Sequence, residues 1–142
     1  GKGFYVHYQG PERYLARQEE VSHFPLSPDI TIFCAESRFP RYIIDVKFKN
    51  PFDSSGKIDL TSTDIYQIVT YAVCYQCENV FLLYPRFKGQ PSHNVVLASY
   101  KIHRETGNIN LRVLQIDIME TDNNITQKEL VNSIIDLSIV EN

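Results

Sequence analysis

The sequence predicts a mixed α/β domain built on one central β-sheet. Three observations carry this. Short β-branched runs alternate with turn residues, a single amphipathic helical stretch interrupts them near the middle, and a continuous apolar run follows directly after it. With 142 residues, 43% of them hydrophobic, the chain is long enough for one domain with a real core and too short for two ordinary ones. We therefore expect a single domain over residues 1–142.

Phe4–Tyr8 alternates as a strand, Gly10-Pro11 marks a turn, and Arg13–Arg17 is expected to return as its hairpin partner. Leu26-Ser27-Pro28 leads into a second strand, Asp29-Ile30-Thr31-Ile32-Phe33-Cys34, where Pro28 can open a strand without breaking one. Ser37–Pro40 reads as a turn and Tyr42–Phe48 as a third strong strand. Asn50–Ser62, with Pro51, Ser54, Ser55 and Gly56, reads as a mobile polar loop. A helix is expected from about Thr63 to Glu78, because Ile65, Ile68, Val69, Ala72 and Val73 form one apolar stripe. Val80–Tyr84 is the continuous apolar run, ended by Pro85, of a strand buried on both faces. Val95–His103 and Ile109–Ile118 flank Arg104–Asn108 as a hairpin. Thr126-Gln127-Lys128-Glu129 is a capping-box pattern that opens a closing helix carrying Leu130, Val131, Ile134 and Leu137.

Composition narrows the class of function. The net charge of −3 does not favour nucleic-acid binding as a property of the whole surface. Its distribution is uneven: Arg38 to Lys88 holds seven basic against five acidic residues, while the flanks sum to −2 and −3. Ordinary scatter explains that as well. The acidic run Asp117–Asp122 would repel DNA and is expected to face away from it or toward a protein partner. No apolar run approaches the roughly 18 residues that span a bilayer, and the N-terminus does not read as a signal peptide. Three cysteines (Cys34, Cys74, Cys77) cannot complete a disulfide framework, which fits a reducing cytoplasm. Cys74 and Cys77 resemble half of a metal site, but too few further ligands have suitable spacing, so they read as ordinary helix residues. Strand-like sequence begins almost at residue 1, as expected of a domain cut from a longer protein.

Two strands carry a carboxylate where apolar residues would be expected. Asp29 opens one and Asp45 interrupts the other directly after Ile43-Ile44. A charge in a core strand is costly unless it is paired or coordinates a metal. Lys47, two residues beyond Asp45, projects from the same face of the sheet. Two hard oxygen ligands beside an ammonium suit Mg2+ and a phosphodiester. On the helix, Asp64, Gln67, Tyr71, Cys74 and Glu78 form a polar stripe roughly opposite the apolar one, with Gln67 and Tyr71 as i, i+4 neighbours. The bland readings are a turn aspartate at Asp29, an ion pair on a solvated face for Asp45 and Lys47, and an outer helix face for Gln67 and Tyr71.

Pro28-Asp29, a spacer and then Asp45-Val46-Lys47 resemble the signature of the PD-(D/E)xK nuclease superfamily. Gln67-Ile-Val-Thr-Tyr71 resembles the QxxxY motif of its RecB-like branch. The chain is most similar to the C-terminal nuclease domains of the McrC family, from McrBC-type modification-dependent restriction systems. Four ordered segments, Pro28–Ile32, Ile43–Lys49, Asp64–Ala72 and Leu82–Pro85, carry that likeness. It implies a restriction-endonuclease-like mixed central sheet flanked by helices, and a Mg2+-dependent endonuclease in which Mn2+ can substitute. It also implies modified double-stranded DNA as substrate, cut to leave 5′-phosphate and 3′-hydroxyl ends, and a GTP-hydrolysing AAA+ motor of the McrB kind as partner. By position, Asp29, Asp45 and the Val46 carbonyl would ligate the metal. Lys47 would orient water or stabilise charge on the phosphate, with Gln67 and Tyr71 lining the site. Many relatives have an acidic residue on a helix before the first strand, and none is visible in this sequence. Two alternatives stay open: a catalytically silent scaffold that docks a partner protein, and another RecB-like repair nuclease.

Overall fold

The computed structural model describes residues 3–86 and 95–116. The closing helix expected over Thr126–Leu137 and the acidic run Asp117–Asp122 lie outside the described residues. Eight strands and one helix are found among the described residues: β1 (Phe4–Tyr8), β2 (Arg13–Gln18), β3 (Val21–Leu26), β4 (Ile30–Cys34), β5 (Pro40–Val46), α1 (Ser62–Tyr75), β6 (Asn79–Pro85), β7 (Val95–Ile102) and β8 (Ile109–Ile116). Six of the strands form one mixed sheet in the order β1-β4-β5-β6-β8-β7. The β5–β6 and β6–β8 pairs are parallel and the other three antiparallel. The parallel step from β5 to β6 needs a crossover, which α1 supplies.

The expected hairpin between Phe4–Tyr8 and Arg13–Arg17 does not form. β1 pairs instead with β4, and β2 pairs with β3 in a separate two-stranded ribbon. Gly10 redirects the chain at this point. Its φ is +144°, and a Cβ there would lie 3.0 Å from the Glu12 nitrogen. Its carbonyl accepts a buried 2.7 Å hydrogen bond from Thr31 Oγ1. The β2–β3 turn is Glu19-Glu20, both at positive φ. That is the backbone of a tight two-residue hairpin, but without the Asn-Gly signature that marks one in sequence.

Alternation along the strands splits the sheet into two apolar faces. Ile43, Val80, Leu82, Tyr84, Leu111 and Val113 face α1, packing against Ile68, Tyr71, Ala72 and Tyr75. Ile30, Ile32, Ile44, Phe81, Leu83 and Leu114 point to the other face. The period of two therefore puts Asp45 and Lys47, after Ile43, on the helix side.

The helix is shorter than expected and turned about its axis. Thr61 caps it, accepting from the Asp64 N–H at 3.3 Å. It stops at Tyr75 because Gln76 is left-handed, and the N–H groups of Gln76 and Cys77 close back on Val73 and Ala72. Its buried residues are Asp64, Ile68, Tyr71, Ala72 and Tyr75, whereas Val73 is 46% exposed. The expected opposition of polar and apolar stripes is thus incorrect: Asp64 and Tyr71 go inward. Polar partners at the sheet explain this rotation, as described below. The polar loop before the helix folds locally on itself. Asp53 Oδ1 accepts from the Ser55 and Lys57 N–H groups at 2.8 and 3.0 Å, and Phe52 bridges to Ile58.

Tyr75 anchors the helix to the start of the β2–β3 ribbon. Its hydroxyl lies 2.5 Å from the Pro11 carbonyl and 3.1 Å from that of Leu26, and Arg13 stacks over its ring at 4.7 Å. Tyr75→Phe removes these bonds while keeping the ring. It should destabilise the fold by about 1–3 kcal/mol, read in urea unfolding as a lower midpoint at unchanged slope.

Candidate active site

The site grows from the register of β4 and β5. Thr31 pairs with Ile43 and Ile30 with Ile44, so one step further along the same register Asp29 stands opposite Asp45. Directly opposed cross-strand side chains start about 5 Å apart, and like charges there repel. Asp29 is held by three contacts: its Oδ2 accepts from the Val46 N–H at 2.8 Å, its Oδ1 from Gln9 Nε2 at 3.3 Å, and its carbonyl from the Gln9 N–H at 2.8 Å. In an extended strand the N–H and C=O of one residue point to the same edge, so the Val46 carbonyl also lies toward Asp29.

Asp45 is only 4% exposed. Burial pushes its carboxyl up to about 6, Lys47 pulls it down, and the negative charge of Asp29 raises it further. Lys47 Nζ sits 2.6 Å from Asp45 Oδ2 and donates a hydrogen bond to Gln67 Oε1. Gln67 in turn donates to the Tyr71 hydroxyl at 3.2 Å. Burial raises the Tyr71 phenol, and the charges of Asp45 and Asp29 raise it further. Asp29, Asp45, Val46, Lys47, Gln67 and Tyr71 are thus brought together around one point. The solvated-face reading of Asp45 and Lys47 fails, because both are largely sequestered.

Sequence reasoning left out the layer behind them. Asp64, 6% exposed, places Oδ2 2.6 Å from Lys49 Nζ and Oδ1 3.9 Å from Lys47 Nζ, and the buried Tyr84 hydroxyl donates to Oδ2 at 3.4 Å. Burial would raise the Asp64 carboxyl. Hydrogen bonds from the Lys49 and Thr61 side chains, with the charges of both lysines, hold it below its ordinary value. Strand alternation was the available signal, since Lys47, like Lys49, follows Asp45 at even spacing. The helix rotation that brings Asp64 inward had none.

The donor set fits a hard divalent cation. Two carboxylates meet where a cation would relieve their repulsion, and a backbone carbonyl lies on the same edge. Among the described residues no group of three or more His, Cys, Asp or Glu forms a cage. Such an ion would therefore keep water or substrate oxygens in its shell. The Cys77 thiol is buried, pushed up to about 12, and bonded to the Asn79 carbonyl, which makes it a poor nucleophile or ligand.

A family model described as McrBC 5-methylcytosine restriction system component matches residues 1–85, more than half of the chain. The chain belongs to this McrBC family. The matched span includes β1 to β6 and every side chain of the cluster. A chain in the refined half-complex from the tetradecameric assembly of Thermococcus gammatolerans McrB AAA+ hexamers with bound McrC has a similar fold. The TM-score is 0.58 at 12% identity, over 94% of the present chain and 28% of that one. The present chain thus spans well under a third of that neighbour's length. No curated protein matches. The expected mixed α/β sheet is borne out and is compatible with a restriction-endonuclease-like domain.

A divalent ion requires both carboxylates ionised. Because the Asp45 carboxyl of the folded, metal-free chain sits near 6, above its ordinary 3.8, the folded state holds a proton that the unfolded chain releases. The stability this group contributes is present at low pH and lost as pH rises from about 4 to about 6. Bound cation should reverse that loss. The rise in melting temperature on adding Mn2+ should be larger at about pH 7.5 than at about pH 5 and absent in Asp45→Asn. Equal shifts at both pH values in thermal scans would contradict this.

Proposed function

We propose that this chain is the DNA-cleaving module of a McrBC-type restriction system. In this reading it is a Mg2+-dependent endodeoxyribonuclease, with Mn2+ able to substitute, acting in the cytoplasm on modified double-stranded DNA. The observation that carries the proposal is the buried contact of Lys47 with Asp45, beside an opposed Asp29. Family membership supports it, as does the likeness of fold to a chain from an assembly of McrB AAA+ hexamers with bound McrC. We infer from the same two findings that a GTP-hydrolysing AAA+ motor drives the module. No helix among the described residues is long and apolar enough to cross a membrane.

Asp29, Asp45 and the Val46 carbonyl would hold the divalent ion. When bound, such an ion polarises the phosphate and lowers the pKa of a coordinated water. The chain's own residues do the positioning. Lys47 is held between Asp45 Oδ2 and Gln67 Oε1, so its ammonium is fixed where it can orient an attacking water or meet charge developing on the phosphate. Tyr71 steadies Gln67 from below. Asp64 takes up Lys49 and lies within reach of Lys47, which holds both cations on the side of the proposed phosphate site.

Supercoiled plasmid at high protein concentration is the substrate for the test. The expected result is Mg2+- or Mn2+-dependent nicking that Asp45→Ala abolishes and Lys47→Ala lowers by about a hundredfold or more. Both variants must melt cooperatively. Nicking that survives both substitutions would overturn the assignment.

A further inference from the structure

The two lysines that meet Asp64 are separated by one residue, Phe48, which is 77% exposed, the most exposed large apolar side chain among the described residues. The Lys49 N–H donates to the Lys47 carbonyl at 2.8 Å, closing a three-residue turn with Phe48 at its apex. Both flanking side chains reach back to the same buried carboxylate, at 3.9 and 2.6 Å. The turn is thereby pinned at both ends, and the ring is held outward. Among the described residues the Phe48 ring packs against no other ring.

A large aromatic surface kept in water on a pinned turn is an unfavourable arrangement for the free chain. Its setting says what would cover it. A protein-docking anchor is usually the centre of an apolar patch with charges excluded, whereas Phe48 is flanked in the chain by two lysines whose ammonium groups turn toward the carboxylate cluster. Cations that meet phosphates, interleaved with a ring that stacks, are the pattern of a nucleic-acid surface. Tyr66, 70% exposed, precedes Gln67 on α1 and adds a second exposed ring on the neighbouring element.

We propose that Phe48 stacks on a nucleobase beside the phosphate that Lys47 engages, so that the site takes DNA with a base locally unstacked next to the cut. This rests on the nuclease reading above and adds to it a contact to the base. The partner class is a nucleobase of either strand, recognised by its π-face and not by its hydrogen-bonding edge.

The sequence contains no tryptophan, so Phe48→Trp installs a single indole at the proposed contact. Binding is measured with Ca2+ in place of Mg2+, using a short single-stranded oligonucleotide and the matching duplex. The expected result is quenching of the indole emission by DNA, stronger for the single strand. Phe48→Ala should bind about 5- to 100-fold more weakly, with Phe48→Trp close to the parent chain. DNA binding that leaves the emission unchanged and is equal in Phe48→Ala overturns the stacking proposal while the nuclease reading stands. Emission that responds only to an AAA+ partner overturns it in favour of a protein contact. Failure of the parent chain to bind DNA at all removes the nuclease reading and the stacking contact with it. Quenching without any metal-dependent nicking keeps the contact and removes catalysis alone.

Discussion

Two carboxylates face each other at the end of an antiparallel strand pair, and one of them is buried. Left alone, Asp29 and Asp45 would push the strand ends apart; burial raises the Asp45 carboxyl and the charge of Asp29 raises it further. Much of the surrounding architecture holds them in place. The Val46 N–H fixes Asp29, Lys47 offsets Asp45, and Gln67 and Tyr71 fix Lys47 from the helix. The crossover from β5 through α1 to β6 is what brings the helix residues over the strand end. The sheet order therefore serves the charge cluster as much as the core.

The same constraint explains the rotation of α1. Periodicity alone turned Ile65, Val69 and Val73 inward and left Asp64 and Tyr71 in water. Tyr84 and two lysines await a carboxylate on the sheet side, and Gln67 needs an acceptor beside Lys47. Satisfying them draws Asp64 and Tyr71 down and leaves Val73 exposed. Tertiary hydrogen bonding overrides a weak amphipathic signal here, because unsatisfied buried polar groups cost more than one exposed valine.

Legibility followed the range of the interactions. β4, β5 and β6 could be read because β-branched runs declare themselves locally, and alternation from Ile43 correctly put Asp45 and Lys47 on one face. β3 could not. Pro25 lies within it and its turn is Glu19-Glu20, so neither propensity nor turn chemistry marked a hairpin. The pairing of β1 with β4 is accompanied by the Thr31 contact to Gly10, twenty-one residues away, and no local pattern encodes such a long-range match. The motif residues Asp45, Lys47, Gln67 and Tyr71 lie in one linked cluster. Lys49 and Asp64, which support those residues from behind, emerged only with the packing.

The most direct measurement is a crystal of the chain soaked in Mn2+, with anomalous scattering collected to locate the ion. The account requires a peak beside the Asp29 and Asp45 carboxylates, the residues that would hold the ion with the Val46 carbonyl, lost in Asp45→Asn. An ion bound elsewhere, or none at concentrations that saturate a hard oxygen site, would contradict it.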